Sequence, residues 1–211
     1  MTFGLVKHNN NSISAITSAP NVGSGDITLI KTIDASSSST ISFVHGSSDV
    51  VLDNTYPIYM FRFINIHGST DANFTFNLST NSGSNYNITK TTTYFNSAHS
   101  EDDSSEAQIE YRTSDDLAQS GNFQILHKSM DSGNDDCGVG ELFLFNPYSN
   151  EFVKNFISRN IYVSNGADGT AKNSYISGYA NTTSAVNAIQ FVMSSGNIDS
   201  GTIKLYGIKD S

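Results

Sequence analysis

Cysteine is almost missing from this chain, and that alone removes several architectures. The one thiol, Cys137, can close no internal disulfide and cannot build a cysteine zinc site. Its neighbours in "DDCGVG" are acidic, a poor setting for a nucleophile. Tryptophan is absent, which weakens the case for a sugar-stacking site, although ten tyrosines remain. Cations are scarce: 11 Lys and Arg stand against 20 Asp and Glu, a net charge of −9. Binding to nucleic acid requires cations that replace counterions on phosphate, so no nucleic-acid partner is expected. An anionic membrane surface is excluded on the same ground. No apolar run reaches the length of a transmembrane helix, and "MTFGLVKHNN" lacks the apolar stretch and cleavage site of a signal peptide. No stretch carries a helical stripe of apolar residues.

What fills the chain instead is Ser, Thr, Asn and Gly between short apolar runs, the composition of turns and exposed strand faces. A single domain among the 211 residues can bury a sizeable core without disulfides or metal. Residues 1–26 read as an extended N-terminal arm. Its apolar residues Phe3, Leu5, Val6, Ile13 and Ile16 have too few neighbours for a core of their own and are the candidate docking residues.

From Ile27 the apolar period is mostly two. Strands are expected at "ITLIKTI", "TISFVHG" and Tyr56 to His67. In the last of these, Ile58, Met60, Arg62, Ile64 and Ile66 face one way, and Tyr59, Phe61, Phe63 and Asn65 the other. Both faces are largely apolar, as in a strand that lies mid-sandwich or meets a partner. "NFTFNLST" alternates cleanly. Residues 97–121 carry seven carboxylates against Arg112 and read as a solvated excursion with a short strand at Gln108 to Tyr111. Further strands fall at Asn122 to His127, Glu141 to Phe145, Ile161 to Ser164 and Ser174 to Tyr179. "AVNAIQFVMSSGNIDSGTIKLYGIK" reads as a hairpin with a long connection, ending on Thr202 to Ile208. Roughly ten short strands separated by turns predict an all-β fold, a jelly-roll-like antiparallel β-sandwich over 27–211.

Chemistry is hard to find. "EDDSSE" and "DSGNDD" supply carboxylates but not the spacing of a calcium loop, so no metal is assigned. His8, His45, His67, His99 and His127 are scattered singly. No Gly-x-Ser-x-Gly elbow is present, and "NGADG" lacks the strand-to-helix context of a phosphate loop. The reading is a non-enzyme without a cofactor.

"SGTIKLYGIKDS", Ser200 to Ser211, resembles the C-terminus of structural proteins of marine tailed bacteriophages, especially phages of cyanobacteria. In this chain Ile189, Phe191, Gly196, Gly201, Ile203, Leu205, Tyr206 and Gly207 occupy the places of that motif. "TIDASSSSTISFVHG" and "YPIYMFRFINI" are similar to the opening strands of the same group. The resemblance implies a β-sandwich of the virion, assembled in the host cytoplasm, with no catalytic residues. Capsid decoration, head fibre, tail fibre and tail-tip adhesin all fit it. It implies other virion proteins as partners and a homo-oligomer, most simply a trimer. A receptor-binding module for host surface glycan is the alternative, and a glycan-processing enzyme the third reading.

Overall fold

The computed structural model describes residues 27–164 and 169–209. The arm 1–26, with Phe3, Leu5, Val6, Ile13 and Ile16, lies outside the described residues. Those residues form twelve strands and no helix: β1 Ile27–Asp34, β2 Ile41–Val44, β3 Ile58–Gly68, β4 Ala72–Ser79, β5 Lys90–Ser100, β6 Ala107–Tyr111, β7 Gln124–Met130, β8 Gly138–Phe145, β9 Lys154–Ser164, β10 Thr170–Ala180, β11 Ala188–Met193 and β12 Ile198–Ile208. Every pairing is antiparallel.

The pairing gives one continuous path, β1-β12-β3-β8-β9-β7-β4-β11-β2, nearly closed into a barrel. The link between β9 and β7 is a single residue pair, Met130 with Ser164. On the far edge of β9 the sheet continues through β10 and β5 to β6. The molecule thus has a wide eight-stranded side, β1-β12-β3-β8-β9-β10-β5-β6, and a narrow four-stranded side, β2-β11-β4-β7. The chain crosses between the two sides at 35–40, 45–57, 69–71, 80–89, 112–123, 131–137, 181–187 and 194–197.

The core lies between the sides, and aromatic rings dominate it. Phe191 of β11 meets Phe43, Phe61, Phe63 and Phe74 with ring centroids 5.3–6.3 Å apart. Phe76 packs edge-on against Phe156 at 5.2 Å. Such rings each bury 150–250 Å² and supply most of the driving force for joining the two sides.

Three expectations are corrected here. β11 and β12 are not a hairpin: β11 pairs with β2 and β4, while β12 pairs with β1 and β3. The 97–121 segment is not one solvated excursion, because β5 runs to Ser100 and β6 pairs along it. The alternation of β3 breaks at Asn65, whose φ is +50°. The register slips between Phe63 and Ile66, so Ile66 turns inward and is fully buried. A bulge adds one residue to a strand and reverses the faces beyond it. Asn tolerates the left-handed conformation better than most side chains.

Candidate functional surface

The extension strands invert the usual alternation. The inward residues of β5 are Lys90, Thr92, Tyr94, Asn96, Ala98 and Ser100, mostly polar. Those of β9 include Lys154, Ser158, Asn160 and Ser164. A buried polar group is costly unless it is bonded, and here most are. The Thr92 hydroxyl donates to Gln124 Oε1 at 2.6 Å, and the Ser174 hydroxyl to the Leu126 carbonyl at 2.7 Å. Tyr94 and Tyr162 bond through their hydroxyls at 3.2 Å. Lys90 Nζ donates to Asn77 Oδ1 at 2.6 Å and to the Ile88 carbonyl at 2.8 Å. Lys154 Nζ donates to the carbonyls of Phe152 and Thr182 at 2.6 and 3.2 Å. Both lysines face Ala180 of β10 in register, and both are fully buried. Burial alone pushes Lys90 down to about 7 and lowers Lys154 as well. The two ammonium groups tie loop carbonyls at one end of the molecule.

With polar residues inward on β5 and β9, apolar residues of these strands, Phe95, Ile157 and Ile161, point out. One cross-strand row runs over seven strands: Lys204, Arg62, Glu141, Arg159, Tyr175, Phe95 and Tyr111. Tyr175 stacks on Phe95 at 5.0 Å and 11°. The Arg159 guanidinium lies 5.4 Å from the centre of the Tyr175 ring. The neighbouring row is apolar at its centre: Leu29, Tyr206, Met60, Phe143, Ile157, then Ser177 and Thr93. Two open hollows adjoin along these rows. One, of about 530 Å³, is lined by Arg62, Ile64, Val139, Glu141, Arg159 and Ile161. The other, of about 380 Å³, holds Phe95, Phe143, Ile157 and Tyr175, and shares Glu141 and Arg159. Ile157 and Ile161 are each about half exposed. This is an amphipathic plane carrying cations in an acidic protein.

The residues singled out in the sequence for chemistry mostly stay apart. His127 is fully buried among Phe63, Phe74 and Tyr162, stacked on the last at 5.0 Å. Neither of its ring nitrogens has a hydrogen-bond partner among the described residues, and burial pushes its pKa down to about 3. Asp102 is held by Ser100, Ser104 and Ser105 in a tight turn, and their hydrogen bonds lower its pKa far below the carboxylate range. No group of carboxylates, His and Cys among the described residues is arranged to hold a metal ion.

One polar hollow collects His67, Cys137, Asp135, Asp136, Asp199, Asn65 and Ser200. His67 Nδ1 lies 3.4 Å from Asp199, as an orienting carboxylate would, but Nε2 is taken by the Gly133 carbonyl at 3.1 Å. Cys137 turns to Asn65 Oδ1 at 3.8 Å. Both ring nitrogens of His67 are thus engaged, and neither is engaged with the thiol. Sequence reasoning missed the outer rows because it assigned β9 and β10 only in part and β5 not at all. The signal that could have extended β9 is the segment "FISRNIYV", with Ile157, Ile161 and Val163 two or four residues apart, whereas β5 carries no such alternation.

Comparisons with protein-family models, with curated proteins and with solved structures return no match for this chain. The class defined by fold and surface is therefore an all-β, barrel-like domain with one broad sheet face left uncovered among the described residues.

Proposed function

We propose that this chain is a non-enzymatic structural protein of a bacteriophage particle, a jelly-roll β-sandwich exposed as a capsid decoration or fibre component. The observation that carries the reading is strand order. Without the inserted β5, β6, β9 and β10, the two sides are β1-β12-β3-β8 and β2-β11-β4-β7. Eight strands that alternate between two four-stranded sheets in this order support the jelly roll, an architecture of viral capsid and lectin domains. The insertions widen one sheet and create its uncovered face. The resemblance of residues 200–211 to phage structural proteins points the same way. Docking runs through the arm 1–26, which joins β1 at the edge of the wide sheet. Ile27 and Leu29 are exposed there.

Mass spectrometry of purified particles tests the reading. Full-length chain is expected in many copies per particle, and a chain lacking 1–26 is expected to be left out. Incorporation of the truncated chain would sink the arm as the docking element. Absence of the full-length chain from particles would sink the structural role.

A second reading is host-glycan recognition, favoured by the row Arg159, Tyr175, Phe95 and Tyr111. Ring faces stack on sugars, and Glu141 and Arg159 offer an acceptor and a donor beside them. On a glycan array, Tyr175→Ala should abolish any signal that the wild-type chain gives. A wild-type chain that binds nothing rules this reading out and leaves the structural one.

A further inference from the structure

The eight-stranded side stops at β6, and no strand covers its outer edge among the described residues. Its hydrogen-bond phase is set by two bonds: Ser100 N–H donates to the Glu106 carbonyl, and Arg112 N–H to the Tyr94 carbonyl, both at 2.8 Å. In an antiparallel ladder alternate residues turn their backbone groups to one neighbour. Residues 106, 108, 110 and 112 therefore face β5, and Ala107, Ile109 and Tyr111 direct their N–H and C=O groups outward. The other three edges are blunted, β7 by Lys128 and by two register shifts against β4. β1 has a register break between Leu29 and Lys31 with a lysine beside it, and β2 has four residues. β6 has no bulge, no proline and no lysine, and its Ile109 is 80% exposed. Edge strands of soluble proteins usually carry such devices, and a regular edge with unpaired N–H and C=O groups is a template for pairing.

We propose that β6 pairs antiparallel with β6 of a second copy, across a two-fold axis at Ile109. The sequence "EAQIEYR", 106–112, is self-complementary about that residue. Centring there pairs all three outward residues: Ile109 with itself, and Ala107 with the partner's Tyr111 at both ends. It also sets Glu106 opposite the partner's Arg112 and Gln108 opposite the partner's Glu110. A centre at Gln108 would oppose Glu106 to the partner's Glu110, and a centre at Glu110 would oppose that carboxylate to itself. Like charges directly opposed destabilise a ladder. The joined sheet would have sixteen strands, with the two outer faces continuous. This two-fold contact replaces the three-fold symmetry expected from the phage resemblance, and it does not depend on the chain belonging to a particle. The seam is well below the area of a standard interface, so the dissociation constant is expected on the order of 0.1 mM.

Sedimentation equilibrium up to about 1 mM should show a reversible shift from 22.8 kDa toward twice that mass. Ile109→Pro should stay monomeric and keep the wild-type melting temperature, because the Ile109 N–H makes no bond to β5. In a Cys137→Ser background, Ile109→Cys should form a disulfide dimer on mild oxidation, since facing residues lie within bridging distance. Tyr111→Cys should not, because its two copies stand four residues apart along the seam. A wild-type monomer throughout the range overturns the proposal. So does a dimer that survives Ile109→Pro, or crosslinking of Tyr111→Cys as fast as Ile109→Cys.

Discussion

Single buried side chains set the pH response. His127 lies neutral among aromatic rings, and burial holds its pKa near 3. Between that value and the ordinary 6.5 the unfolded chain binds a proton that the folded chain does not. Stability from this group is therefore full above pH 6.5 and is lost as pH falls toward 3. Thermal melts across that window should show the loss, on the order of a few kcal/mol. His127→Phe should flatten the window, and an unchanged slope would remove His127 as its cause. Lys90 acts in the basic range. Burial lowers it to about 7, so between pH 7 and 10.5 the unfolded chain again holds the extra proton, and stability rises with pH. Lys90→Met should reduce that rise and leave the part contributed by Lys154, which burial also lowers. The readout is the slope, because the variant also strips Asn77 and the Ile88 carbonyl of a donor. An equal rise in the variant would assign it elsewhere.

Strands succeed or fail by which face they bury. β12 lies between β1 and β3, and Ile203 and Leu205 are fully buried. Leu205→Asp puts an unpaired carboxylate in the core and should cost more than about 3 kcal/mol, enough to prevent soluble expression. A variant that melts like the wild type would show that this position is not core. The glycines of the same terminal motif have different reasons. Gly201 takes φ +115° where β12 slips against β3, and a Cβ on Gly207 would meet the Tyr56 ring at 2.4 Å. β5 shows the opposite case to β12. Its ladder to β10 is unbroken over eleven residues, yet its inward face is polar, so no hydrophobic alternation marks it.

At the scale of the whole molecule, the described core lies within 27–208. The buried apolar cluster runs from Ile41 to Leu205 and includes Phe residues of β2, β3, β4, β9 and β11. Deleting 1–26 should therefore leave a chain with the wild-type strand content by circular dichroism and a melting temperature within a few degrees. Collapse of the truncated chain would mean that the arm belongs to the core rather than to docking. The long strand β3 appeared in the sequence to have one apolar face too many. Its inner face is core, and its outer face, with Met60, Arg62 and Ile64, lies in the middle of the uncovered plane. The 97–121 segment does not cover it, because β5 and β6 stand at the far edge of the sheet.

Local pattern was enough for the all-β class and for the strands with clean alternation, such as "NFTFNLST" and "GTIKLYGI". In those strands the residues facing the core are apolar and their neighbours more often polar, so the period marks the strand, although in "NFTFNLST" the alternate residues Thr75, Asn77 and Ser79 are buried as well. The absence of a disulfide framework was also legible, since one cysteine has no partner. The candidate surface was not. It exists because β9 and β10 are inserted beside β8, and β5 and β6 beside β10, which are pairings between segments far apart in the chain. Asn65 likewise looks like any outward polar residue until its φ and the register slip are known. Local sequence carries the period of a strand. Its neighbours, and hence which face water sees, come from long-range pairing, and here that pairing buried Lys, Thr, Asn and Ser while leaving Ile157, Ile161, Phe95 and Ile109 outside.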